Sequence, residues 1–241
     1  MRPRRNIFII AVISWCSLTS LYGQDLLEGH TDIMFIYNDS TGQWSGNFVD
    51  GDDFENPDKD VPFDQASLPL IDQLYDSNTG LGDREIALSG DEFIGISAGD
   101  PFWLLPQNQG QVRDYTWPGF RSQVSPNTFR SYQPSDSRIN SSQRWITHTL
   151  TDVTYAGQSS TAGQFSAFQY DLFGSPIIWM ASSDGIDSTD VFYLDENGHA
   201  HTNFGFSELG IYRVGLQASA ILDSDGSTVT ASEQLANSSG T

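Results

Sequence analysis

Gly, Asn, Asp, Ser and Pro interrupt this chain so often that no apolar pattern of helical spacing lasts for about ten residues, near the minimum for a stable helix. What lies between the interruptions is short and tends to alternate. Alternation places every second side chain on one face of an extended backbone. In Ile211-Tyr212-Arg213-Val214-Gly215-Leu216-Gln217-Ala218, the residues Tyr212, Val214 and Leu216 share such a face. Strands are expected at 32–37, 44–49, 84–89, 93–97, 102–105, 144–155, 164–172, 176–181, 191–194, 201–206, 211–220 and 228–231. One short helix is expected within 67–75. Asp225-Gly226, between two of the runs, has the residues of a hairpin turn. The expected fold is all-β: a single antiparallel β-sandwich, jelly-roll-like, with long loops. Residues 50–60 form a loop crowded with carboxylates. Residues 107–138, rich in Pro, Gln, Ser and aromatics, read as a long irregular loop.

Residues 1–23 have the order of a secretory signal peptide. Arg2, Arg4 and Arg5 precede an apolar stretch, and Gly23 supplies a small residue at the cleavage point. The stretch is too short and too polar toward its end to span a membrane well. The expected domain is 24–231, with a disordered tail at 232–241 and no transmembrane span in the mature chain. Cys16, the only cysteine, leaves with the leader, so packing or metal must stabilise what remains. The leader implies a secreted, extracytoplasmic protein, in the periplasm or at the cell surface. Acidic residues outnumber basic ones 31 to 11, a formal net charge of −20. That balance repels nucleic acid and anionic lipid and gathers cations. With 12 % aromatic residues, the chain is too apolar for an acidic disordered segment.

Chemistry is concentrated in the histidines. There are four, and three lie in Gly29-His30-Thr31-Asp32 and Gly198-His199-Ala200-His201. In an extended chain His199 and His201 project from one face, as two ligands of a tetrahedral zinc must. His30 is the third candidate ligand, and Asp32, Asp184, His148 or a water the fourth. Asp32 has an alternative role, holding the outer nitrogen of a ligating histidine, and Asn203 has a similar supporting one. The strand at His30 is expected to lie beside the strand at His201. Neutral imidazoles are needed for binding, so affinity is expected to fall below about pH 6. His148, in the alternating Trp145-Ile146-Thr147-His148-Thr149-Leu150, reads first as an ordinary strand residue.

Several segments, taken in order, resemble the choice-of-anchor M domain of bacterial surface proteins. They are Glu28-Gly29-His30-Thr31-Asp32-Ile33, the run from Ile94-Gly95-Ile96 to Leu105-Pro106-Gln107, Gly163-Gln164-Phe165-Ser166, Ser183-Asp184-Gly185-Ile186, and Gly198-His199-Ala200-His201-Thr202-Asn203-Phe204-Gly205-Phe206 with Leu209-Gly210-Ile211-Tyr212. The resemblance implies a secreted or wall-attached protein that handles zinc outside the cytoplasm. Its implied partner is a metal-uptake ABC transporter or another cell-surface component.

Catalysis has no support in the motifs. The mature chain has no cysteine nucleophile, Gly95-Ile96-Ser97-Ala98-Gly99 fits Gly-x-Ser-x-Gly only in its letters because no helix is expected after it to make a nucleophile elbow, and His-Glu-x-x-His and phosphate-cradling glycine loops are missing from the sequence. Asp223-Ser224-Asp225-Gly226-Ser227 lacks the glutamate that a twelve-residue calcium loop requires. The competing expectation is a surface adhesion or carbohydrate-binding module with structural histidines. In that reading Trp117-Pro118-Gly119-Phe120 presents an aromatic platform to sugars.

Overall fold

A computed structural model describes residues 7–10, 24–25, 29–56, 59–63, 65–76, 82–107, 116–157 and 162–231. The first half carries β1 (Ile7–Ile10), β2 (Gln24–Asp25), β3 (Gly29–Asn38), β4 (Gln43–Asp50), β5 (Val61–Pro62), β6 (Ala66–Ile71), β7 (Arg84–Ile86), β8 (Pro101–Leu105) and β9 (Thr116–Gln123). The second carries β10 (Trp145–Gly157), β11 (Phe165–Tyr170), β12 (Pro176–Ala181), β13 (Val191–Asp195), β14 (His199–His201), β15 (Asn203–Phe206), β16 (Gly210–Ile221) and β17 (Thr228–Thr230). No α-helix occurs among the described residues. The fold is the expected all-β sandwich.

Hydrogen bonding gives four sheets, ordered β14-β9-β3-β4-β5, β12-β11-β15-β8-β7, β13-β10-β16-β17 and β1-β6-β2. Their inner faces meet in one aromatic core. Phe120 of β9 stacks on Phe192 of β13 at 4.9 Å and meets Phe204 of β15 edge-on at 5.8 Å, tying three sheets together. Ile33, Phe48, Leu105, Ile146, Phe165 and Val214 fill the space around them. A smaller apolar cluster on the far side of the β8–β11 sheet gathers Ala87, Ile94, Phe102, Leu104 and Phe168.

The structure departs from the sequence expectations at several points. Residues 67–75 hold no helix. Leu68 and Leu70, two apart and both buried, give β6 a strand's period, and Pro69 between them would break a helix. Residues 93–97 are not a strand but a 3-10 turn, Glu92–Ile94, ended by Gly95 at φ +90°. The expected single strand 201–206 divides at Thr202, and its halves β14 and β15 join different sheets. The sandwich is not wholly antiparallel, since β3–β9 and β2–β6 pair in parallel. The long chain between β4 and β9 supplies the crossover that a parallel pair needs. Residues 107–138 contain β9, which lies between β14 and β3 in a five-stranded sheet. Ile7–Ile10, inside the expected leader, pairs with β6. Cys16 and 232–241 lie outside the described residues.

Candidate metal centre

Strand alternation builds the site. On β3, Thr31, Ile33 and Phe35 turn toward the core, so His30 and Asp32 share the opposite face. On β14, Ala200 packs against the core and His199 and His201 face the other way. The two strands are not neighbours, contrary to expectation, because β9 runs between them. Its register sets Trp117 beside His30 and Gly119 beside Asp32 on one flank. On the other flank Gly119 lies beside His201 and Arg121 beside His199.

Gly119 is thus the floor of the site. A Cβ there would collide with the Asp32 Oδ1 atom and stand 3.0 Å from the His201 ring. Only a residue without a side chain lets the flanking donors meet across the middle strand. Gly51 acts similarly at the edge, where a Cβ would run into the His30 ring.

The donors converge closely. His30 Nε2 lies 3.0 Å from Asp32 Oδ1 and 3.1 Å from His199 Nε2, and His199 Nε2 lies 3.1 Å from Asp32 Oδ1. With His201 added, one donor atom from each residue falls within 4.8 Å of all the others. Ligands around a tetrahedral zinc with bonds of about 2.0–2.1 Å are spaced by about 3.3 Å. Two imidazole nitrogens and a carboxylate oxygen at 3.0–3.1 Å are near that spacing. All three are lone-pair donors toward one another, so a proton or a cation must lie among them. His30, Asp32, His199 and His201 can together hold a metal ion.

The surroundings fix the geometry. Asp32 is 0 % exposed, and its second oxygen accepts a 2.8 Å hydrogen bond from Arg121 Nε. That contact leaves Oδ1 for the cluster. Burial alone would raise the Asp32 pKa, but hydrogen bonds from His199, His30 and Arg121 and the charge of His30 hold it well below the usual carboxylate range. His201 Nδ1 donates to the Pro118 carbonyl at 3.0 Å, which leaves Nε2 as its free donor atom. The His30 Nδ1 atom pairs with Asp52 at 3.2 Å, which leaves Nε2 for the cluster. Burial opposes charge on His30, yet Asp32 and Asp52 outweigh it and raise the pKa. Burial lowers that of His201, helped by His199 and His30 and opposed by Pro118 and Asp32.

Trp117 stacks on both His30 and His201, with ring centroids 4.2 and 4.4 Å away. It forms a wall of the cluster, where the competing reading made Trp117-Pro118-Gly119-Phe120 a platform for sugars. Gln169 Nε2 holds the His201 carbonyl at 2.6 Å, and Trp179 Nε1 in turn holds Gln169 Oε1 at 2.9 Å. Arg121 lies 3.9 Å from the Phe54 ring and reaches the Gly51 carbonyl, so the acidic loop after β4 is tied to the site.

Of the expected ligands, His30, Asp32, His199 and His201 come together, and Asp184 is not among them. Asp184 is exposed at the end of the 3-10 turn Ser182–Asp184. His148 lies in the core. Asn203 does not support the site either, since its amide is paired with Gln107 at both ends. Sequence reasoning passed over Gly119, Arg121, Asp52 and Gly51, and gave Trp117 no part in the metal group. No protein-family model matches the chain, and no curated protein or solved structure matches it either.

Proposed function

We propose that this protein captures a divalent transition metal, zinc first, outside the cytoplasm and passes it to an uptake system. The observation that carries the reading is the meeting of three histidines and one carboxylate from two non-adjacent strands over a glycine. Three nitrogens and one oxygen suit zinc, and they suit calcium or magnesium poorly, which take oxygen ligands. Four protein donors fill a tetrahedral shell, the arrangement of a holding site; hydrolytic zinc sites keep a position open for water. Capture and delivery therefore fit better than catalysis.

Export is supported by the basic and apolar order of residues 1–23. Delivery to a metal-uptake ABC transporter, or to another surface component, is supported by the resemblance to choice-of-anchor M domains. The acidic surface favours a cationic cargo. Among the described residues no helix is long and apolar enough to cross a membrane.

Elemental analysis and zinc titration test the reading on protein purified without a histidine tag. Wild type is expected to bind one zinc per chain. The double variant His199→Ala/His201→Ala should lose at least about 100-fold in affinity, the order seen when ligand support is removed. Equal affinities in the two proteins would remove the site.

A further inference from the structure

The fourth histidine sits behind the same strands. His148, midway along β10, is 0 % exposed. Its ring packs on Phe35 of β3 and Phe120 of β9, each at 5.1 Å between centroids, and on Phe192 of β13 at 6.3 Å. Neither ring nitrogen makes a hydrogen bond of ordinary geometry among the described residues. An imidazole in such a seam carries desolvated polar atoms that a phenylalanine or leucine would not. Burial holds its pKa down to about 4, against a weaker upward pull from the Phe192 backbone.

Among the described residues, none of the side chains packed around the ring carries a charge that could neutralise one on it. The inward residues around it are Ile33 and Phe35 on β3, Phe120 on β9, Phe192 and Leu194 on β13, and Ala218 and Ala220 on β16. On its own strand it stands between Ile146 and Leu150. Tyr37, farther along β3, is the titratable member of that row, and burial pushes its pKa up, so it stays neutral. Asp190, just before β13, commits its carboxylate to the backbone N–H groups of Ala181 and Asp187.

Phe35 follows Asp32 by three residues on β3, and Phe120 stands between Gly119 and Arg121 on β9. The seat of His148 is therefore the back of the two strands whose front carries the metal group. We propose that His148 is an acid-operated catch, whose protonation parts the sheets behind β3 and β9 and lets the cation go. The proposal rests on the metal-binding reading of the front face. An unpaired cation in the seam must reach water, and separating apolar side chains costs less than burying that charge. The packed back supports, beside the backbone pairing of β14, β9 and β3, the common register of Asp32, Gly119 and the paired histidines.

Three measurements test it. Zinc titration at pH 7.5 should give equal affinities for wild type and His148→Phe. Absence of binding by wild type would overturn the metal reading and the release role with it. Near-ultraviolet circular dichroism then follows the core of the metal-free protein as the pH falls. The opening constant of wild type is expected to rise about tenfold for each unit between pH 6.5 and 4. The slope should vanish in His148→Phe and persist in His199→Ala/His201→Ala, which separates the core event from protonation of the ligands. Zinc-loaded wild type at pH 5.5 should pass its metal to a chelating dye at least about tenfold faster than His148→Phe. Equal slopes, or equal release rates, in wild type and His148→Phe overturn the catch. If His148→Phe does not fold, His148→Leu replaces it. An imidazole nitrogen NMR titration of wild type decides independently, because a His148 ring that gains its proton while the core stays packed overturns the proposal.

Discussion

The two sides of β3 and β9 treat the same amino acid in opposite ways. On the front, His30 and His201 have their outer nitrogens tied to Asp52 and Pro118, which leaves their inner nitrogens to the donor group that holds Asp32. On the back, neither nitrogen of His148 makes a hydrogen bond of ordinary geometry among the described residues. The front favours charge at His30, although burial lowers the pKa of His201 beside it. Burial on that side is outweighed by Asp32 and Asp52, and the His30 pKa rises. The back forbids it, and the His148 pKa falls to about 4. What separates them is the thickness of one sheet. A strand's two faces are chemically independent, so a cation site can be built on the outside of a sheet whose inside is a phenylalanine core.

The sharpest way to break the front is to remove its carboxylate. Asp32→Ala should abolish measurable zinc binding by calorimetry. It also leaves the Arg121 guanidinium, only 12 % exposed, without its carboxylate partner. Removing one member of a buried pair costs about 3–5 kcal/mol, so a large fall in denaturant midpoint is expected even in metal-free protein. His148→Leu, on the back, removes no partner from any group. Its unfolding free energy at pH 7.5 should equal or exceed that of wild type. If Asp32→Ala is as stable as wild type, the Arg121 pairing does not anchor the front.

A milder break leaves every donor in place. Gly119→Ala adds one methyl group between Asp32 and His201. Because the packed strands give little, the donors must spread, and zinc affinity should fall at least about tenfold, or 1.4 kcal/mol. Far-ultraviolet dichroism should stay that of a β protein. Wild-type affinity in this variant would show that the floor is wider than the geometry implies.

These residues also mark the limits of what the sequence discloses. The His199/His201 pair was legible because a strand's period of two needs no knowledge of neighbours. The partnership with His30 and Asp32 was legible because histidines are scarce here. The strand that joins them was not. Thr116–Gln123 contains Pro118-Gly119, which reads as a turn, and a proline within a sheet argues against a central strand. The structure resolves the conflict through chain ends. β14 stops at His201, opposite Gly119, so Pro118 has no β14 partner on that flank, and its carbonyl is taken by the His201 ring. Likewise 201–206 reads as one alternating strand, and only the packing of two sheets reveals that the chain changes sheet at Thr202. Both misses are long-range facts imposed on local patterns that fit a different answer.

The pH axis sharpens the comparison next. His148 is held neutral in the folded protein, with a pKa of about 4 against an ordinary 6.5. A base with a depressed folded pKa contributes stability in full above the unfolded value. That contribution is lost as the pH falls from 6.5 toward 4, where the unfolded chain takes up a proton that the folded one refuses. The loss amounts to about 3 kcal/mol over the window, at 1.36 kcal/mol per unit. Urea unfolding at pH 7 and pH 4.5 should show most of it in wild type and little of it in His148→Phe. A variant as acid-sensitive as wild type would place the acid lability on the front face instead.

The smallest effect belongs to Asp52. Its side chain is 72 % exposed, although it pairs with His30 Nδ1 at 3.2 Å. Water screens such a contact, so its energetic share is small, and its task is to choose which nitrogen of His30 carries the proton. Asp52→Asn keeps an oxygen that can accept the same hydrogen bond and removes only the charge. Zinc affinity at pH 7.5 should fall by no more than about threefold, within the range of an exposed pair. Asp52→Leu removes the acceptor as well, freeing His30 to adopt the tautomer with its proton on Nε2, and should bind more weakly than Asp52→Asn. If the two variants bind equally well, His30 is held by Trp117 and Gly51 alone, and the acidic loop belongs to the approach of the cation rather than to its seat.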